Sequence, residues 1–369
     1  MSLKPIIQTV PNSLLTAIIT HIFISWSYLD LTDLATLHLR HNAYLSVILA
    51  LPLILPVIWI ICDLASIFPG KPVSFVMESA FGKILGKLIN LIFILMLFGL
   101  AIYVLWESQL LVGNYFLPRF NLRFLIIIIT GSTLYLSLHG IESVGRMAAF
   151  TLIIPLIVIY SLHFLGLSNV NTINIRPVLE GSIYQWFEAG FDLLITLTPV
   201  TAVFIYLPFF KSPKKLLQAS LMSLGLVIPL FFLTLLGTIG AFGPEMTAKF
   251  TWPPVEFFHI IDLPFLLLEQ SGLIFIITWY VFIFVVLSQA HFILGHLIST
   301  AFPVIKLRWA IYSAALIITI VTLLLPMDAL FIKNLLKSIL RYFICSYFSI
   351  ILLTWILVRI RYRKQLINK

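Results

Sequence analysis

The stretch Asn174–Lys215, NIRPVLEGSIYQWFEAGFDLLITLTPVTAVFIYLPFFKSPKK, decides how the chain is read. It enters polar, runs apolar from Tyr184 to Phe210, and leaves on the basic cluster Lys211, Lys214 and Lys215. A helical bilayer crossing takes about 20 apolar residues, so this run is long enough to span. It is not uniform, however. Glu188, Asp192, Thr196 and Pro199 recur at helical spacing and share one face. Two carboxylates and a hydroxyl on one stripe are costly against lipid, so the stripe faces protein or water. Pro199 has no N–H and leaves the carbonyl of Ile195 without its helical partner in mid-span. Two outcomes stay open: a kinked packing helix, or a span broken to present backbone to a solute, as in repeat-built transporters.

Composition sets the class for the rest. Of 369 residues, 61% are hydrophobic, 10% are charged, and 31 are phenylalanine. A soluble domain cannot cover that much apolar surface, which leaves a polytopic membrane protein. The net charge of +9 comes from Lys and Arg placed between apolar runs, the pattern of cytoplasmic loops rather than of a nucleic-acid surface. Cys62 and Cys345 both lie in or beside apolar runs and predict no structural disulfide. The run from Leu14 lacks a small-residue cleavage site and ends in Asp30 and Asp33, so it reads as a retained first span.

Apolar windows predict an all-α fold of about ten spans, at 13–32, 43–62, 88–116, 122–139, 147–167, 184–210, 216–242, 265–298, 308–326 and 338–358. Segment 66–87 reads as amphipathic, and 243–264 as the longest mixed loop. With both termini cytoplasmic, inner segments hold 15 of the 23 basic residues and outer segments 8, which favours that orientation. Five spans followed by five more, the sixth interrupted, suggest an inverted repeat of about 13–167 and 184–358 within one domain.

In that orientation the acids Asp30, Asp33, Glu107, Glu188, Asp192 and Glu269 gather toward the outer side, where an acidic vestibule attracts amines or cations. Solvation at headgroup level is the alternative for Asp30, Asp33 and Glu269, whereas Glu107 lies deeper in its span. His21, Ser25 and Tyr28 form a polar stripe on the first span. His163 stands on the fifth, and His291 with Ser288 on the eighth. A histidine there relays protons or simply bonds a backbone carbonyl. No metal-ligand spacing, phosphate loop or nucleophile elbow is present, so neither metal, cofactor nor enzyme chemistry is expected.

Several motifs, in order, carry a family resemblance. They are Pro72 with AFGKILGKLI (Ala80–Ile89), Trp106-Glu107-Ser108, HGIESVGR (His139–Arg146) and NIRPVLEGSI (Asn174–Ile183). FIYLPFFKSPKK (Phe204–Lys215), TWPPVEFF (Thr251–Phe258) and Glu269 followed by Trp279 complete the series. The chain resembles the membrane-embedded B subunits of spore germinant receptors, the endospore germination permeases related to amino acid–polyamine–organocation transporters. That resemblance implies a LeuT-like fold of five plus five spans in the inner membrane of the spore. It also implies assembly with A-type and lipoprotein C-type subunits, contact with membrane lipid but not nucleic acid, and sensing of a small, amino acid-like nutrient. The alternative is a proton- or cation-coupled amino acid or amine permease.

The nutrient is expected among the middles of spans one, three, six and eight, at Ser25, Trp26, Glu107, Thr196, Thr198, Pro199 and Ser288. Coupling candidates are Glu107, His163, Glu188 and Asp192. Departures from the family pattern include the absence of glycine before Gly70, which speaks against an unwound first span. Ala202 stands where an acid is common, and Gln270 and Gly272 follow Glu269 in place of an arginine and an acid. The aromatic segment around Trp252, Phe257, Phe258 and Phe265 reads as an exposed surface that either a partner subunit or lipid headgroups cover.

Overall fold

The structure, a computed structural model, describes residues 10–32, 38–197, 202–210, 212–262, 271–326 and 330–367. Among them ten principal helices follow the apolar windows. These are α1 (Asn12–Ser27), α2 (Ser46–Ile67), α3 (Lys83–Tyr115), α4 (Leu122–Leu138), α5 (Ile153–Gly166), α6 (Ile183–Leu197), α7 (Pro213–Phe242), α8 (Ser271–Ala301), α9 (Leu307–Leu324) and α10 (Leu330–Ile367). Each expected span overlaps one of them. Six stretches are long and apolar enough to cross a bilayer unaided: Arg40–Ile67 around α2, then α3, α7, α8, α9, and Cys345–Tyr362 within α10. The chain is an integral membrane protein.

The remaining helices are short or interrupted, for local reasons. The fifth span was expected to start at 147, but the chain breaks at Thr151–Leu152 between a helix Ile141–Phe150 and α5. Pro155 lies in the first turn of α5, where its missing N–H costs nothing; further back it would have cost a bond. The Thr151 hydroxyl donates to Met147 O at 2.8 Å and closes the preceding helix. Between α4 and that helix the direction turns by 117°. Gly140 makes the corner at φ 89°, a left-handed value that a side chain would strain.

The packing comes in pairs. α1 packs on α7, and α2 packs on α6. Likewise α4 meets α8 while α9 meets α3, and α5 meets α8 while α10 meets α3. Exchanging the first five helices with the second five converts each contact into its companion. α2 with α7 and α3 with α8 map onto themselves. An inverted five-plus-five repeat requires this pattern.

One loop and one helix–helix tie bind the bundle together. The polar entry of the opening motif is a strap. Asn42 donates to Pro177 O at 3.0 Å and accepts from the Leu179 N–H at 3.0 Å. Asn174 donates to Gly240 O at 2.9 Å, which satisfies a carbonyl at the end of α7. At the other end of the molecule Arg359 of α10 and Trp355 both donate to Asp63 Oδ2, at 2.8 and 2.7 Å.

The segment expected at the surface is instead core. Trp252, Phe257 and Phe258 flank or lie within the short helix Pro253–His259, and all three are buried. The reason lies on its neighbours. A Cβ on Gly166 of α5 would come within 2.4 Å of the Phe257 ring, and one on Gly237 of α7 within 2.6 Å. These two glycines make the hole that the ring fills. Phe265 and Glu269 lie outside the described residues, as does Asp33.

Candidate functional site

α1 stops at Ser27, and Tyr28, Leu29 and Asp30 form a turn before a helical Leu31–Thr32. The helix is interrupted here although no glycine precedes Gly70. Tyr28 has φ −64° and ψ −45°, ordinary right-handed values, so the interruption needs no glycine. The two ends of the turn send side chains in different directions, and each enters a buried polar node.

Tyr28 reaches α5 and α7. Its hydroxyl lies 3.0 Å from His163 Nε2, which is also 2.9 Å from the Thr234 hydroxyl. His163 Nδ1 lies 2.8 Å from Ile159 O, an acceptor only, so Nδ1 carries the hydrogen. With the ring neutral, Nε2 accepts one hydrogen, from the Tyr28 or the Thr234 hydroxyl; Tyr28 also bonds Thr234, which lies 2.8 Å from Leu230 O. Every polar atom of this node is occupied. Phe231, Phe257, Phe258 and Phe275 close around it. His21, two turns back, repeats the arrangement with Ala17 O at 2.8 Å and the Thr151 hydroxyl at 3.2 Å.

Asp30 reaches α3. The Tyr103 hydroxyl lies 2.7 Å from Asp30 Oδ2 and 3.1 Å from Glu107 Oε1, one hydrogen between two carboxyl groups. Trp252 Nε1 donates to Glu107 Oε1 at 3.0 Å. Glu107, Tyr103 and Trp252 are all buried. The next residue, Trp106, donates to Pro326 O at 2.9 Å, and Tyr280 of α8 to Ser108 O at 2.6 Å. The Trp106-Glu107-Ser108 motif thus ties α3 to the aromatic segment, to the end of α9 and to α8. Sequence reading found Glu107 but missed Tyr103, although it stands four residues earlier on the same face.

The other expected contacts are dispersed. Ser25 is buried and its hydroxyl has no partner among the described residues, while Trp26 is half-buried. The Ser288 hydroxyl donates to Phe284 O of its own helix at 2.8 Å. Its neighbour Gln289 makes the interhelical contact, accepting at 2.8 Å from the Tyr206 hydroxyl near the end of the sixth span. The sixth span is carried by α6 and a short helix Ala202–Ile205. Thr198 and Pro199 lie outside the described residues, as does the side chain of Thr196, so the outcome at Pro199 stands where the sequence left it.

Glu188 and Asp192 meet a residue the sequence reading passed over. His38, on the connector from the first span to the second, places Nδ1 3.3 Å from Glu188 Oε2 and Nε2 3.1 Å from Asp192 Oδ2. These three side chains border a cleft of about 230 Å³ with Tyr184, Phe187 and Phe191. Nothing in the local sequence marks His38, because its partners are some 150 residues away. Among the described residues no three His, Cys, Asp or Glu side chains converge as a metal site.

Residues 9–332 match the family described as spore germination protein. Three relatives from Bacillus subtilis (strain 168) are similar. Spore germination protein B2 is 24% identical over 54% of this chain and 54% of its own length. Spore germination protein YndE is 25% identical over 60% of this chain and 61% of its own. Putative spore germination protein YfkT is 25% identical over 70% and 71%. The matched stretch therefore spans about half to three-fifths of the first two. Two solved structures share the fold. A substrate-bound, outward-open Na+-coupled sialic acid symporter superposes with a TM-score of 0.67 at 13% identity, over 94% of this chain and 78% of the symporter. The nucleobase-cation-symport-1 transporter MHP1, closed around bromovinylhydantoin, gives 0.61 at 14%, over 93% and 79%. The architecture is LeuT-like. The relatives are germination proteins and the structural neighbours transporters.

Proposed function

The chain belongs to the spore germination protein family, and on that premise we propose that it is the transporter-like, nutrient-sensing subunit of a germinant receptor. It binds a small, amino acid-like nutrient beside the first-span turn and has no catalytic chemistry. The observation that carries this is the turn itself: α1 is interrupted at Tyr28–Asp30, and the Asp30–Tyr103–Glu107 group stands next to it. In LeuT-like proteins an interrupted span is where backbone and helix ends become available to a solute. Ser25, Trp26 and Glu107 supply a hydroxyl, a flat apolar wall and a countercharge to an amine. Thr196, Thr198 and Pro199 on the sixth span and Ser288 on α8 complete the proposed site.

Tyr28 and His163 have the geometry of a fixed wall. In this reading His163 holds the first span in place, and Glu107, Glu188 and Asp192 are the better coupling candidates. The repeat units are about 13–167 and 184–358, a division supported by the paired helix contacts. A-type and lipoprotein C-type subunits are the proposed partners, and the inner membrane of the spore, with both termini cytoplasmic, the proposed location. A working permease is the second reading, favoured by one feature: a single phenolic hydrogen shared by two carboxyls suits proton coupling.

Deleting the gene and germinating the spores against a panel of nutrients tests the proposal. Loss of response to one nutrient class, with no uptake of that labelled nutrient by vesicles holding the chain, is expected. Vesicles that accumulate the nutrient would replace the sensor with the permease.

A further inference from the structure

The motif AFGKILGKLI (Ala80–Ile89) takes no part in either polar node; it builds the corner where a short helix, Val73–Phe81, meets α3. That helix ends at Gly82, whose φ of 84° turns the chain without the strain a side chain would carry. One turn on, Gly86 packs directly on the short helix: a Cβ there would come within 2.7 Å of the Glu78 backbone. The corner explains both glycines. It does not explain the two lysines. Lys83 and Lys87 are exposed, and neither has a hydrogen bond or ion pair among the described residues.

Their spacing puts them on one face. Lys83, Lys87, Leu91 and Leu95 recur every fourth residue along α3, with Ile84 and Leu88 beside them. All six are exposed. The stripe is basic where α3 begins and apolar from there on. From Lys83 to Leu95 it rises about 18 Å, close to the depth of one leaflet in a hydrocarbon core about 30 Å thick. Further bases stand at the corner. Arg361 of α10 is exposed and donates to Ser79 O at 2.9 Å, at the end of the short helix. Lys71 lies 5.1 Å over the Phe75 ring at its start. Asp63 is taken by Arg359 and Trp355, which leaves Glu78 as the acid beside these bases.

We infer that this corner binds an anionic phospholipid: Lys83, Lys87 and Arg361 hold the headgroup phosphate, and an acyl chain lies along Leu91 and Leu95. Ammonium and guanidinium donors are the usual partners of a phosphate oxygen. The excess of bases selects a headgroup with net negative charge over a zwitterionic one, whose own cation they repel. A water-soluble phosphate would leave the apolar part of the stripe uncovered. Glu107 lies about 30 Å further along α3, so this site and the one proposed for the nutrient stand or fall separately.

The test titrates the full chain, in uncharged detergent micelles, against fluorescent phosphatidylglycerol and follows anisotropy, with fluorescent phosphatidylcholine alongside. Phosphatidylglycerol should bind at least about tenfold more tightly. Lys83→Gln combined with Lys87→Gln should remove most of that preference; both side chains are exposed, and thermal unfolding checks that the fold is kept. Arg119→Gln with Arg123→Gln, an equal loss of charge beyond the other end of α3, should leave it unchanged. High salt should erase the preference in the wild-type chain, a readout that needs no variant. Equal affinity for the two lipids would overturn the assignment. So would a preference that survives the lysine pair or high salt, one lost equally in the arginine pair, or displacement of the lipid by glycerol 3-phosphate.

Discussion

The first-span turn and the α6 cleft each set a pair of carboxyl groups around one side chain, and they differ in what that side chain is. At the turn it is Tyr103, a phenol buried with Glu107 beside a half-buried Asp30, and it donates a single hydrogen. In the cleft it is His38, about a quarter exposed, with a carboxylate oxygen beside each ring nitrogen. The turn is walled by interlocked rings, whereas Phe187 and Phe191 stand largely free at the cleft. The buried arrangement is suited to recognising shape and hydrogen bonds in one geometry. The open one is suited to reading charge.

Truncating an aromatic on each side separates the two regions most sharply. Phe258 is fully buried, 4.4 Å from Phe275 and 5.0 Å from His163, so Phe258→Ala should cost about 3–5 kcal/mol and lower the amount of folded protein. Phe187→Ala, at 60% exposure, should cost no more than about 0.5 kcal/mol. Thermal unfolding in detergent measures both, and equal losses would break the distinction between a rigid turn and an open cleft.

A smaller effect is expected from Tyr28→Phe, which removes a hydroxyl bonded to His163 Nε2 inside a closed node. It should destabilise by about 1–3 kcal/mol in the same assay. A neutral result would mean that the Tyr28 end of the turn is held by its rings alone. The smallest effect belongs to Ser288→Ala. Its hydroxyl is bonded within α8, so wild-type stability and an unchanged germination threshold would remove it from the proposed nutrient contacts. A raised threshold would keep it there.

The helices were legible because hydropathy alone sets a span's length, and Glu107 because a carboxylate deep in such a span is conspicuous. The first-span turn was not legible. Tyr28 keeps right-handed dihedrals and none of its residues has a positive φ, so no glycine announces it. Aromatic density around Trp252 and Phe258 suggested an exposed surface, and only the notch left by Gly166 and Gly237 reveals why that segment is core. His38 shows a different limit. A residue whose meaning lies in partners on another span leaves no local pattern.

The direct test of sensing at the first-span turn is the nutrient dose–response of spores carrying Glu107→Gln, with the amount of the chain followed by immunoblot. Glutamine preserves the shape and can still accept from Trp252, but it removes the countercharge and changes what Tyr103 shares with Asp30. The account predicts a threshold shifted by about tenfold or more, near 1.4 kcal/mol of binding, at an unchanged protein level. A wild-type dose curve at normal protein level would contradict it and place the nutrient elsewhere in the bundle.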